Sequence, residues 1–259
     1  ELIGRGVRRG AKQLSSTFGD IIPAMGASAL GFEDYAKQQM EEAKQTQKEI
    51  AQTMAPQYKS LSDVKGVGDY IPFALETAAE QVANIGTSLI PGVGAGALAA
   101  RAGVGAAGKA AAVNAGTFLG AYAQNAPEVF QNVFEQTGQL APGASALFGA
   151  GAAALDSILP ASLAKQLSGP VKMGIVEKVL EKSGMDKGLL RSVAASAVKG
   201  VPTEGMTEGA QEAISIAAEK FVGNNPQIFE SKEWNRIMES AVRGAVAGGM
   251  FGGVGGGIE

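Results

Sequence analysis

Apolar positions along this chain recur at three- and four-residue spacing and almost never alternate, so the pattern predicts helices and nearly no strands. Between residues 32 and 55, Phe32, Ala36, Met40, Ala43, Gln47, Ile50 and Met54 trace a narrow seam like that of a coiled coil. Pro56 ends that helix, because its ring clashes with the preceding turn. A connector over 57–69 comes next, in which Asp69 is placed to cap the next helix and Pro72 fits its first turn. That helix runs to about Leu89, with Ile71, Leu75, Ala78, Val82, Ile85 and Leu89 on one face and Glu76, Glu80 and Asn84 on another. Residues 93–165 read as further helices, with loops expected near 91–96, 124–127, 138–143 and 160. Ordinary amphipathic helices return over 170–222, where Gly184 and Pro202 mark boundaries. Ser231 is placed to cap a last helix carrying Trp234, Ile237 and Met238.

The predicted class is all-α, with about eight to ten tightly packed, Ala/Gly-rich helices. Four segments are expected: a basic arm plus coiled-coil-like helix over 1–60, an apolar core over 69–166, an amphipathic bundle segment over 170–223, and a terminal helix with a glycine zipper over 231–259.

Four stretches carry no charge at all: 81–100, 110–127, 136–155 and 244–258. The last has glycine every four residues, at Gly244, Gly248, Gly252 and Gly256. On a helix these form one groove in which another helix can approach close to the backbone. Gly116 and Gly120 repeat the spacing on a smaller scale. All six glycines are candidate helix-packing or oligomerisation positions. Within the uncharged stretches, Val82, Ile85, Leu89, Ile90, Leu147, Phe148 and Phe251 are the candidate membrane contacts. A bilayer span needs about 20 predominantly apolar residues. The strongly apolar residues of 81–100 supply only about −2 to −4 kcal/mol of insertion energy, and Gln81, Asn84 and Pro91 oppose it. Such a balance suits helices buried in protein, or conditional insertion: water-soluble in one state and embedded in another.

Composition agrees with close helix packing. Alanine (45) and glycine (37) make up about a third of the 259 residues, and aromatics only 6%, so little bulk is available for a thick core. Charged residues are 18%, against roughly 25% in ordinary soluble domains. The net charge of −3 gives no global field for nucleic acid. The exception is the first segment, where Arg5, Arg8, Arg9 and Lys12 would share roughly one helical face as candidate contacts for DNA, lipid or an acidic partner. The chain begins at Glu1 and ends in a glycine run, and is read as a piece of a longer polypeptide.

Histidine and cysteine are both absent, which excludes His-based triads, HExxH zinc sites, thiolate metal sites and disulfides within the chain. Glu204, Glu208 and Glu212, with Glu219 beyond, fall on one helical face. A basic partner is expected beside them, because like charges at four-residue spacing repel; Arg191 or Lys199 are candidates within the chain. The Gly92–Gly96 run lacks the strand context and the lysine of a phosphate loop. No catalytic residue, metal or cofactor is expected.

Three segments together resemble the internal virion, or ejection, proteins of short-tailed bacteriophages. They are the helix from Asp69-Tyr70-Ile71-Pro72 to Leu89 with its Ala/Gly-rich sequel; Asn125-Ala126-Pro127-Glu128-Val129-Phe130 through Glu135-Gln136-Thr137-Gly138; and Glu204-Gly205-Met206-Thr207-Glu208-Gly209-Ala210-Gln211-Glu212. The resemblance spans roughly residues 66–222. It implies a protein stored in the virion interior with other internal proteins near the portal and tail. On infection it would form ring-shaped homo-oligomers at the host envelope, membrane-associated at least conditionally, with DNA as a non-specific passenger. Some large members carry a lytic transglycosylase domain, and no matching glutamate motif occurs here. Two other expectations compete: a purely structural helical scaffold that never inserts, and a pore-forming toxin module.

Overall fold

The computed structural model describes residues 2–58, 63–66, 68–69, 72–77, 79–80, 95, 97–157, 203–224 and 231–255. Among these there are eight bounded helical elements and no strand, so the all-α expectation holds. The elements are α1 (Leu2–Ser16), a π-helical turn (Thr17–Ile21), α2 (Ile22–Ala29), α3 (Glu33–Thr53), α4 (Ala106–Thr137), α5 (Pro142–Ser157), α6 (Thr203–Val222) and α7 (Ser231–Gly255). Residues 72–77 and 79–80 are also helical.

The seam expected on α3 is where that helix buries itself: Ala36, Met40, Ala43 and Ile50 are all 3% exposed or less. The helix stops at Thr53, three residues before Pro56, as the proline requires. Phe32 falls just outside α3 and stays in solvent, at 63% exposed.

The π-helical turn has a clear consequence. Its wider winding rotates α2 about the common axis relative to α1. Phe18 within the turn is exposed, whereas Ile21 at its end and Ala24 of α2 are buried against Ala36, Met40 and Ala43 of α3.

α4 is the longest element, at 32 residues, and passes straight through the loop expected near 124–127. Pro127 was the loop signal, and it lies fully buried inside the helix. A proline in a helix interior removes one ladder hydrogen bond and costs about 3 kcal/mol. Two contacts lie beside it. Asn125 donates its side-chain amide to Ala121 O at 2.9 Å, one turn earlier. Ala126 is the point where α5 crosses most closely. The loop expected near 138 is real: Gly138 takes φ 70° and its N–H returns to Phe134 O at 2.8 Å, a left-handed cap that suits glycine.

α4 is central because both sides of it are covered. Val129 and Val133 pack with Phe148 and Ala152 of α5 and with Ile214, Ala217 and Ala218 of α6. Phe130 joins the α2–α3 cluster instead. α7 docks on α6 through Ile237 against Ala213 and Ile216, with Trp234 at the margin. Phe73 and Ala74 pack near Tyr58, Val64 and Val242, which links the 72–80 segment to α7. Polar contacts fix the register of α4 on α6: Asn132 donates to Ser215 Oγ at 2.9 Å, and Gln211 donates to Asn125 Oδ1 at 3.3 Å.

Candidate functional site

Three helix crossings depend on a glycine at the contact. A Cβ at Gly6 of α1 would lie 2.8 Å from both Ala79 Cβ and Glu76 O. One at Gly149 of α5 would lie 2.7 Å from Ala126 Cβ and 2.8 Å from Ala126 N of α4. One at Gly209 of α6 would lie 3.0 Å from Ala241 Cβ of α7. These are the close backbone approaches expected of an Ala/Gly-rich chain. Gly6 and Gly209 each have a glycine four residues away, at Gly10 and Gly205, but the repeats singled out from the sequence did not include them.

Of the repeat positions, Gly116 and Gly120 are buried on α4, and Gly244 is buried on α7. Gly248 and Gly252 lie within the helical span of α7, while Gly256 lies outside the described residues. Val82, Ile85, Leu89 and Ile90 are likewise outside them, and so is the side chain of Phe251. Leu147 is 37% exposed. Phe148 is not a membrane contact in this fold: it is fully buried in the α4–α5–α6 core, with its ring centroid 5.9 Å from that of Phe221. No helix among the described residues is long and apolar enough to cross a membrane.

The basic residues of α1 separate rather than forming one free face. Arg8 is exposed and donates Nε to Gly4 O at 3.1 Å. Lys12 pairs with Glu49 of α3 at 2.8 Å. Arg5 is half-buried, with a buried Nε that has no hydrogen-bond partner. Arg9 is a correction to the surface-contact expectation, since it is only 4% exposed. Its guanidinium donates to Met54 O at the end of α3 (2.9 Å) and faces Glu76 at 3.3 Å and Glu80 at 3.1 Å. Arg9 Nε, facing Glu80 Oε2, and Glu76 Oε1, facing Arg9 Nη2, are each close enough for charge pairing but not aligned for a hydrogen bond. Glu76 Oε2 also accepts the Gln57 N–H at 2.9 Å. One buried arginine thus ties α1, the end of α3, the connector and the 72–80 helix together. Residues 70 and 71, which Asp69 was expected to cap, lie outside the described residues; Asp69 accepts Lys65 N–H (3.1 Å) and Tyr58 Oη–H (2.9 Å). That hydrogen bond raises the Tyr58 phenol above its ordinary value.

The acidic face of α6 has the basic partner its spacing calls for, on a different helix. Arg236 of α7 binds Glu219 with both nitrogens at 2.9 Å and lies 2.7 Å from Glu212. Lys220 and Glu233 form a second bridge between the helices at 3.1 Å. Arg191 and Lys199 lie outside the described residues. Burial pushes the Glu212 carboxyl above its ordinary 4.5, against the pull of Arg236. Glu219, which holds the Arg236 fork, also repels Glu212. The hydrogen bonds to Glu219 in turn hold Arg236 above its ordinary value.

The two carboxylates should therefore behave oppositely. Glu219→Gln breaks a charged fork and should destabilise by about 2–3 kcal/mol. Glu212→Gln should be neutral or stabilising near pH 7. Glu212 contributes fully below its unfolded value of 4.5, where both states are protonated or the folded one more so. That contribution is lost as pH rises through the raised folded value, so the advantage of the Gln variant should grow upward from pH 4.5. Urea midpoints of the two variants from pH 4 to 7 measure this, and equal losses at pH 7 would contradict it.

Among the described residues no group of three or more acidic, His or Cys side chains is placed to hold a metal. No family model, curated protein or solved structure matches the chain. What the arrangement can do is hold the helices of this chain in register through glycine crossings, a buried charge clamp at Arg9 and a partly buried one at Arg236.

Proposed function

We propose that this chain is a helical part of a phage internal core, or ejection, protein, which oligomerises around the DNA path and contributes to a conduit through the host envelope. The observation that carries the reading is the meeting of two segments behind the resemblance. Asn125–Gly138 forms the second half of α4 and its cap, and Glu204–Glu212 opens α6. They bond to each other through Gln211 and Asn125. The segments thus belong to one packed unit rather than to scattered surface loops. The role asked of the chain is non-enzymatic: to pack, separate and repack helices. Small-residue crossings suit this because they bury little apolar bulk.

Sedimentation velocity of the chain across a concentration series tests the reading. Closed oligomers of defined size are expected. A monomer at every concentration would overturn it. A second reading, a scaffold that never enters a bilayer, draws support from Phe148, an apolar candidate for lipid that is spent on the protein's own core.

A further inference from the structure

α1 is built inside out. The side it buries carries Gly6, Arg9, Gly10 and Ser16, while Ile3 (55%), Val7 (39%) and, just beyond the helix, Phe18 (46%) stand in solvent. At about 100° per residue, Ile3, Val7, Ala11 and Leu14 fall within an arc of about 80° on the outward side. Ala11 is exposed and Leu14 half-exposed. The inward face is committed to the Arg9 clamp and the Gly6 crossing, so the helix cannot roll to bury its stripe without breaking both.

The charges α1 itself contributes are of one sign. Residues 2–16 contain no Asp or Glu. Arg8 is exposed on the flank of the stripe, and Lys12 and half-buried Arg5 lie further round. Glu49, held by Lys12, and Asp20, held by Ser16 Oγ at 2.8 Å, are the acids that contact this helix and its extension at the surface. A second exposed apolar group, Leu30, Phe32 and Tyr35, sits beside Glu33 and Asp34, which an anionic surface would repel.

We infer that the outward face of α1 docks on an anionic lipid surface, lying in the plane of the headgroups with Ile3, Val7, Leu14 and Phe18 in the acyl boundary and Arg8 at the headgroups. An apolar stripe bordered by cations is the arrangement such interfacial helices use. It needs no membrane-spanning segment, and it concerns α1 alone. A monomer that binds vesicles would support it while overturning the assembly reading, and rings that ignore vesicles would do the reverse.

The test is flotation of the chain with vesicles of phosphatidylcholine alone or mixed with phosphatidylglycerol. The chain should float with the mixed vesicles and not with phosphatidylcholine alone, and salt should weaken it. Ile3→Ser with Val7→Ser removes exposed side chains only, so helical content by circular dichroism should be unchanged while partitioning falls tenfold or more, as about 1.5–3 kcal/mol per buried side chain implies. Arg8→Glu should weaken it by about fivefold or more. A wild-type chain that stays at the bottom overturns the inference, as does a serine variant that floats like wild type. A chain that ignores vesicles but forms dimers lost in the serine variant also overturns it, and would assign the stripe to a second copy.

Discussion

Replacing Arg9 with methionine should destabilise the fold by about 3–5 kcal/mol, more than removal of any exposed cation on α1. The side chains of Arg9 and Glu76 are 5% and 3% exposed, so the loss of one strands the other's charge away from water. Among the described residues Gln57 N–H is what remains on the Glu76 carboxylate. Arg9→Lys should recover little, because a single ammonium cannot reach Met54 O, Glu76 and Glu80 from one fork. Arg9→Met with Glu76→Gln should recover most of the loss, since a neutral pair has no stranded charge. Lys12→Met, by contrast, breaks an exposed pair with Glu49 and should cost under about 1 kcal/mol. Urea unfolding monitored by circular dichroism measures all four. An Arg9→Met variant within about 1 kcal/mol of wild type would show that the clamp does not hold α1 in place.

Arg9 also shows where the sequence was readable and where it was not. The positive charges of α1 keep to a helical repeat, and that repeat cannot tell which of them faces another helix. The partners were visible separately: Glu76 and Glu80 are an acidic pair in a segment, 70–89, with no other charge, the kind of feature that asks for a buried cation. The α6 face is the successful counterpart. Its four-residue acidic spacing called for a basic partner, and Arg236 supplies it, although the spacing could not choose among helices. α3 was legible almost to the residue, because its seam is narrow and Pro56 ends it. Pro127 misled for a tertiary reason: a helix packed on both sides by α2–α3 and α5–α6 can carry an interior proline that a solvated one could not. Phe148 misled in the same way, since hydropathy alone does not separate a lipid-facing ring from a core one.

The glycines lead to the other large effect. Periodicity favoured Gly244, Gly248 and Gly252, whereas the tightest described crossing is made by Gly149, set by where α4 passes rather than by any repeat. Gly149→Ala should destabilise by about 3 kcal/mol, the upper end for overpacking, because the new methyl meets Ala126 backbone N and Cα rather than a side chain that can turn away. Adding Ala126→Gly should return only part of the loss. It removes the Cβ at 2.7 Å but leaves the backbone N at 2.8 Å, and glycine costs about 1 kcal/mol in a helix interior. Gly143→Ala, at the start of the same helix with nothing within 4 Å, should instead stabilise by about 0.4–1 kcal/mol. The sign change along one helix separates crossing geometry from helix propensity, since propensity alone favours alanine at both positions. Thermal and urea midpoints of the two single variants decide the matter. If Gly149→Ala is as stable as Gly143→Ala, α5 can move off α4 without loss, and glycine contact does not hold this crossing.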